Sequence, residues 1–194
     1  MTMEMIDERT IKLERRLNNL DRIVLKFVKI LEKHTDYVLI SGYVAILLGR
    51  TRGTEDVDFF INKLSKEQFS SFYKDLLDNG FWAINADDVE ELYSMLKDDR
   101  LAVRFAERGN VAPNMEVKFV KDALDELAMK EKIKVITEEG KLFISRIDLQ
   151  IAYKKFVLAS YKDLEDARHL QKLFDIKDET INKYKILFEQ YGRI

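Results

Sequence analysis

The chain has 194 residues, 46% of them hydrophobic and 35% charged, and 33 Lys+Arg against 35 Asp+Glu leave a formal net charge of -2. That length suits one domain, or one core with a helical appendage, and the charge balance excludes a uniformly basic nucleic-acid binder. The lack of cysteine removes disulfides, thiolate metal sites and cysteine nucleophiles together.

At the N-terminus, Met1 to Arg16 is charged throughout and carries no signal-peptide apolar region. No apolar run approaches the roughly 20 residues of a membrane span. A cytoplasmic protein with no membrane partner is therefore expected. The spacing of Leu13, Leu17, Leu20, Val24, Phe27, Val28 and Leu31 predicts an amphipathic helix over Ile6 to Lys33. Tyr37-Val38-Leu39-Ile40 has the length of a buried strand, broken by Ser41-Gly42, and Tyr43 to Leu48 reads as a short helix ending at Gly49. After a polar loop, Asp56 to Ile61 reads as a second strand, and Ser65 caps a helix over Lys66 to Leu77. Val89 to Leu96 carries a helical pattern, whereas Leu101 to Phe105 and Met115 to Val120 read as strands joined by a loop with Gly109, Asn110 and Pro113. A helix over Lys121 to Met129 follows, then a hairpin, Ile133 to Ile136 and Leu142 to Ile144, about Glu138-Glu139-Gly140. From Ser145 onward the pattern is helical, about 147–159, 162–174 and 178–191. The expected class is α/β (α+β), a mixed sheet flanked by helices. Residues 1–144 would form the core and 145–194 a helical portion packed on it.

The stretch Ser41-Gly42 to Asp58 carries the chemistry. Residues i and i+2 of a strand share a face, so Asp56 and Asp58 project together while Val57 faces the other side. Two neighbouring carboxylates repel unless solvated or bridged by a cation, and a hard ion such as Mg2+ takes oxygen ligands while leaving positions open for phosphate oxygens. Ser41-Gly42, at a strand-to-helix turn, offers backbone N–H groups to an anion with little side-chain obstruction. An Asp-x-Asp pair alone arises by chance in so acidic a chain. The order of elements is what gives it weight.

Ser41-Gly42 followed by Gly49, Arg52, Thr54, Asp56 and Asp58 resembles the signature of the nucleotidyltransferase fold shared with DNA polymerase beta, and is most similar to the small branch around AbiEii-type toxins and minimal nucleotidyltransferases. Downstream, Asp148 to Lys154 resembles that branch's Asp-x5-Lys element, and Lys162-Asp163-Leu164-Glu165-Asp166 resembles its Lys-Asp-x-x-Asp helix. The likeness spans about Val38 to Leu173. It departs from the family in two places. Ser41-Gly42 stands where Gly-Ser or Gly-Gly is usual, and Glu116 stands where the third carboxylate is usually an aspartate, with Lys118 on the same face.

The resemblance implies an enzyme that moves a nucleoside monophosphate from an NTP to a hydroxyl on RNA or protein, releasing pyrophosphate. Asp56, Asp58 and Glu116 would be its catalytic and metal-binding set, holding Mg2+ (or Mn2+), with Glu116 helping to deprotonate the acceptor. Ser41, Gly42, Arg52 and Thr54 would line the nucleotide, Lys154 would reach the triphosphate, and Asp163 or Asp166 would orient that lysine. Two alternatives stay open on the same residues. One is a module that keeps the fold and binds nucleotide without turnover; the other is a toxin component docked by an antitoxin on its terminal helices. The aromatics Phe27, Phe69, Phe72, Tyr73, Phe156 and Phe174 are expected in the core, Trp82 as an anchor beside Phe81, and His34 and His169 outside any site. Lys130, Lys132, Lys134, Lys154, Lys155 and Lys162 would supply any basic patch for RNA.

Overall fold

The computed structural model describes residues 2–194. Its N-terminus is a hairpin rather than the start of the expected helix: β1 (Thr2–Asp7) and β2 (Thr10–Glu14) pair antiparallel. In β2 the side chains alternate, with Ile11 and Leu13 buried and Lys12 and Glu14 exposed, which is a two-residue period. Its other edge pairs in parallel with β8 (Ile133–Thr137). Helix α1 (Asn19–Leu31) begins only where Asn18 and Asp21 cap each other's backbone N–H groups.

The elements that follow keep the expected order. They are β3 (Tyr37–Ile40), α2 (Ser41–Leu47), β4 (Asp56–Ile61), α3 (Lys66–Asp78), β5 (Phe81–Ala83), α4 (Val89–Lys97), β6 (Val103–Glu107), β7 (Asn114–Phe119), α5 (Ala123–Lys130) and β9 (Gly140–Ile144) after β8. Ser65 caps α3 as its sequence predicts, its hydroxyl accepting from the Gln68 N–H while the Gln68 side chain accepts from the Ser65 N–H. The short β5 was not foreseen; it pairs with β6 at the sheet edge. The C-terminal part comprises α6 (Ile147–Tyr153), a π-helical turn over Lys154–Leu158, α7 (Tyr161–Leu173) and α8 (Asp178–Gln190).

Among the described residues the strands form one mixed sheet in the order β1-β2-β8-β9-β3-β4-β7-β6-β5. At its centre β3 runs antiparallel to β4, and β4 runs parallel to β7. The two faces of β4 divide the labour. Val57, Phe59 and Ile61 are buried and face an aromatic core, in which the Phe27 ring lies 5.4 Å from Phe59, 5.4 Å from Phe81 and 5.9 Å from Phe105. Phe69 and Phe72 are fully buried in the same core, as the sequence implies, while Phe156 and Phe174 pack partly buried against it. Trp82 is anchored beside Phe81 by its indole N–H, which donates to the Asn110 carbonyl at 3.0 Å.

Asp56, Asp58 and Phe60 occupy the opposite face, and α2 begins directly beyond the end of β3. Burial of Tyr43 fixes α2, because its hydroxyl donates to Asp21 Oδ1 at 2.9 Å and Arg15 donates to the same oxygen at 2.7 Å. One fully buried carboxylate thus ties α2 to α1 and to the loop after β2.

Candidate active site

The parallel register of β4 and β7 sets the site. Asp56 lies opposite Asn114, Asp58 opposite Glu116 and Phe60 opposite Lys118, and β6 places Arg104 opposite Glu116. Because paired residues in a sheet share a face, Arg104, Glu116 and Asp58 form one row across three strands, continued by Ile40 of β3. Ser41, the next residue, starts the small-residue turn beside Asp58.

Side-chain bonds fix this row. Lys118 Nζ lies 2.6 Å from Glu116 Oε1 and 3.3 Å from Asp58 Oδ1, so one ammonium joins two carboxylates on neighbouring strands. The other Glu116 oxygen accepts from Arg104 Nε at 3.0 Å. Asp56 Oδ1 accepts from the Asn114 amide at 2.8 Å. Burial pushes Asp58 above the ordinary aspartate value, helped by the nearby Glu116 charge and opposed by Lys118. Burial acts on Glu116 in the same sense, but Lys118 and Arg104 together outweigh it and hold that carboxyl below its ordinary value. Lys118 is itself raised, since Asp58 and Glu116 overcome its desolvation, and it stays charged at neutral pH.

Ser41, Asp58 and Lys118 open into a cavity of about 300 Å³, closed on its far side by Leu124, Gln150, Tyr153 and Arg193. Ser41 has φ +64°, the left-handed conformation that favours glycine. That is a physical reason for a glycine at this position, and here serine adopts the same turn while placing a hydroxyl beside Asp58. Gly42 makes room for a neighbour: a Cβ there would stand 2.5 Å from Arg52 Nη2, so the guanidinium would have to shift. The Arg52 guanidinium therefore lies directly against the turn, with Nε and Nη2 donating to the two oxygens of Asp166 at 3.0 and 2.8 Å.

The remaining candidates sit elsewhere. Thr54 Oγ1 donates to the backbone carbonyl of Asp56, which shapes the loop entering β4. Lys154 is 1% exposed, and its ammonium donates to Asp163 at 3.2 Å and Asp166 at 3.0 Å. Its amine is thus held by Asp163 and Asp166, and it shares Asp166 with the Arg52 guanidinium that lies against the Ser41-Gly42 turn. Of the six lysines named for a basic patch, Lys154 is buried, Lys155 pairs with Asp178 and Lys132 with Asp36. Sequence reasoning missed Arg104 and Asn114. The alternation of β6, with Val103 and Phe105 buried and Arg104 exposed, carried the signal for the first.

Among the described residues no group of three or more acids and histidines is arranged to hold a metal ion. The donor chemistry still fits one hard cation at Asp56 and Asp58. Asn114 takes Oδ1 of Asp56 and Lys118 takes Oδ1 of Asp58, and among the described residues no side chain donates a hydrogen bond within ordinary distance to Oδ2 of either aspartate. Glu116 does not fit as a further ligand, because both of its oxygens are bonded to cationic side chains.

No protein-family model and no curated protein matches the chain. Solved structures do. The crystal structure of ANT(2")-Ia in complex with adenylyl-2"-tobramycin is similar over 90% of this chain and 99% of its own, with a TM-score of 0.59 at 12% identity. The solution structure of the antibiotic-resistance factor ANT(2'')-Ia is similar over 88% and 91%, with a TM-score of 0.57 at 12% identity. An antigenic nucleotidyltransferase-like protein from Paracoccidioides brasiliensis is similar over 88% and 87%, with a TM-score of 0.51 at 15% identity. At these identities the likeness is one of fold: the chain has the fold seen in these nucleotidyltransferase and nucleotidyltransferase-like structures. No helix among the described residues is long and apolar enough to cross a membrane.

Proposed function

We propose that the chain is a nucleotidyltransferase that moves a nucleoside monophosphate from an NTP to an acceptor hydroxyl and releases pyrophosphate. The observation that carries this reading is the row on one face of β4 and β7: Asp56 and Asp58 on the same face, Glu116 directly across from Asp58, and Ser41 lining one cavity with Asp58. The fold neighbour bound to an adenylylated product supports the class of reaction.

Transfer of a phosphoryl group asks the protein mainly to position phosphates and neutralise their charge. The turn at Ser41-Gly42 meets a terminal phosphate with backbone N–H groups, and Arg52 adds a guanidinium that Asp166 holds in one orientation. Asp56 and Asp58 would hold a Mg2+ or Mn2+ ion, which supplies charge neutralisation at the triphosphate when bound. Glu116 positions Lys118 beside Asp58 and holds Arg104 at the edge of the row. Lys154 contributes indirectly, as the buried partner of the aspartate that fixes Arg52.

The test is incubation of the chain with each α-phosphate-labelled NTP, Mg2+ or Mn2+, and a panel of hydroxyl acceptors: total RNA, a protein extract and small polyhydroxylated amines. Label is expected on one acceptor class, and Asp56→Ala/Asp58→Ala should abolish it. Saturable NTP binding without transfer to any acceptor would instead favour a module that binds nucleotide without turnover.

A further inference from the structure

The Lys118 ammonium stands between two carboxylates on neighbouring strands, where a bridging cation would have to sit. A divalent ion shared by Asp58 and Glu116 needs an oxygen of each at about 2.0–2.1 Å in the case of Mg2+. Lys118 Nζ already lies 2.6 Å from Glu116 and 3.3 Å from Asp58, and Arg104 takes the remaining Glu116 oxygen. Charge leads to the same conclusion. Without nucleotide, two cationic side chains against Asp56, Asp58 and Glu116 leave a single net negative charge, enough to attract one divalent ion; a second would enter surroundings already turned positive. Lys118 is also placed to stay. Its strand runs in register with β4, so its position is set by the backbone ladder, and its chain shares the cavity wall with Asp58 and Ser41.

We propose that Lys118 is a built-in substitute for a second metal ion, so that the site takes one divalent cation per chain, at Asp56 and Asp58. The proposal rests on the reading of the cleft as a metal-dependent nucleotidyl-transfer site. It assigns Lys118 the electrostatic task of a cation at the acceptor side: a fixed positive charge that favours the ionised form of a hydroxyl brought beside Asp58.

The measurement is the stoichiometry of Mn2+ bound to the full chain, read from the loss of the free-ion electron paramagnetic resonance signal, with and without a non-hydrolysable NTP analogue. Nucleotide-bound Mn2+ is counted separately in protein-free controls. The wild-type chain is expected to bind one Mn2+, and Lys118→Met, which keeps an unbranched side chain one atom shorter and removes its charge, to bind two. Lys118→Gln gives the same reading through a polar neutral side chain if the methionine variant does not fold, which circular dichroism and the unfolding midpoint establish first. Glu116→Gln should remain at one, because Lys118 keeps its bond to Asp58. Two ions on the wild-type chain, or one on both folded Lys118 variants, overturns the substitution while leaving the proposed activity standing. No Mn2+ bound with or without the analogue would sink both, and the loss of transfer activity would then have to be explained without a metal.

Discussion

Two clusters of charged side chains lie within one small fold, and they differ in burial. In the first, Asp166 is fully buried and accepts from Arg52 and Lys154, while Asp163 shares the lysine. In the second, Asp56, Asp58, Glu116, Arg104 and Lys118 share one face of the sheet, the last four joined by side-chain bonds, and Asp58 and Lys118 line an open cleft. The closed cluster matches its charges and excludes water, so breaking it leaves an uncompensated buried charge. The open cluster holds more carboxylate than cation, and the surplus lies where a ligand can reach it. Similar residue types serve cohesion in one place and reserve charge for binding in the other.

The comparison breaks if the closed cluster proves dispensable. Asp166→Ala removes the acceptor shared by Arg52 and Lys154 and should cost about 3–5 kcal/mol, read as a lower midpoint in urea unfolding. Transfer activity should fall in the same variant, since Arg52 loses the partner that holds it against Gly42.

Acid titration sharpens the contrast. Burial raises Asp166, but the Arg52 hydrogen bond and the Lys154 charge outweigh it and hold it below the ordinary aspartate value. A carboxyl lowered in the folded state stabilises the fold at pH above its unfolded value, and that contribution is lost as pH falls through the native value. Glu116 is lowered as well, against its own burial, by Lys118 and Arg104. Stability should therefore drop on acidification below about pH 4, by up to about 1.4 kcal/mol per pH unit for each proton taken up. Asp58 has the opposite sign: its value is raised by burial, so its ionisation costs stability as pH rises through that value. Asp166→Asn should flatten the acid limb of the stability curve, whereas Asp58→Asn should not.

The smallest expected effect is at the turn. Ser41 occupies left-handed backbone, so Ser41→Gly relieves that cost, a gain of up to about 1 kcal/mol in unfolding free energy, while removing the hydroxyl beside Asp58. A loss of stability in Ser41→Gly would show that the hydroxyl holds the turn more than the backbone strains it.

Local patterns made the centre of the molecule legible. The alternation of Asp56 to Ile61 gave β4 and the face of its two carboxylates, and the Ser65 cap gave the start of α3. The N-terminal hairpin was not legible, because Leu13 and Leu17 fit a helical spacing as well as a strand, and the partner that decides between them, Lys134 opposite Thr10, lies far along the chain. Lys154 was placed by resemblance at the triphosphate. The π-helical turn beginning there changes the helical register, and no sequence period announces such a turn. Likewise, Glu116 was visible as an acid in a strand, but its engagement by both Lys118 and Arg104 depends on three strands meeting in register.

The most direct measurement reads one variant twice. Asp58→Asn removes a carboxylate whose burial opposes its charge, so the unfolding midpoint should stay level or rise while transfer of label from an α-phosphate-labelled NTP falls to background. A variant that keeps its transfer rate, or that loses activity only in proportion to a collapse in stability, would contradict the assignment of the cleft as the place where the chemistry occurs.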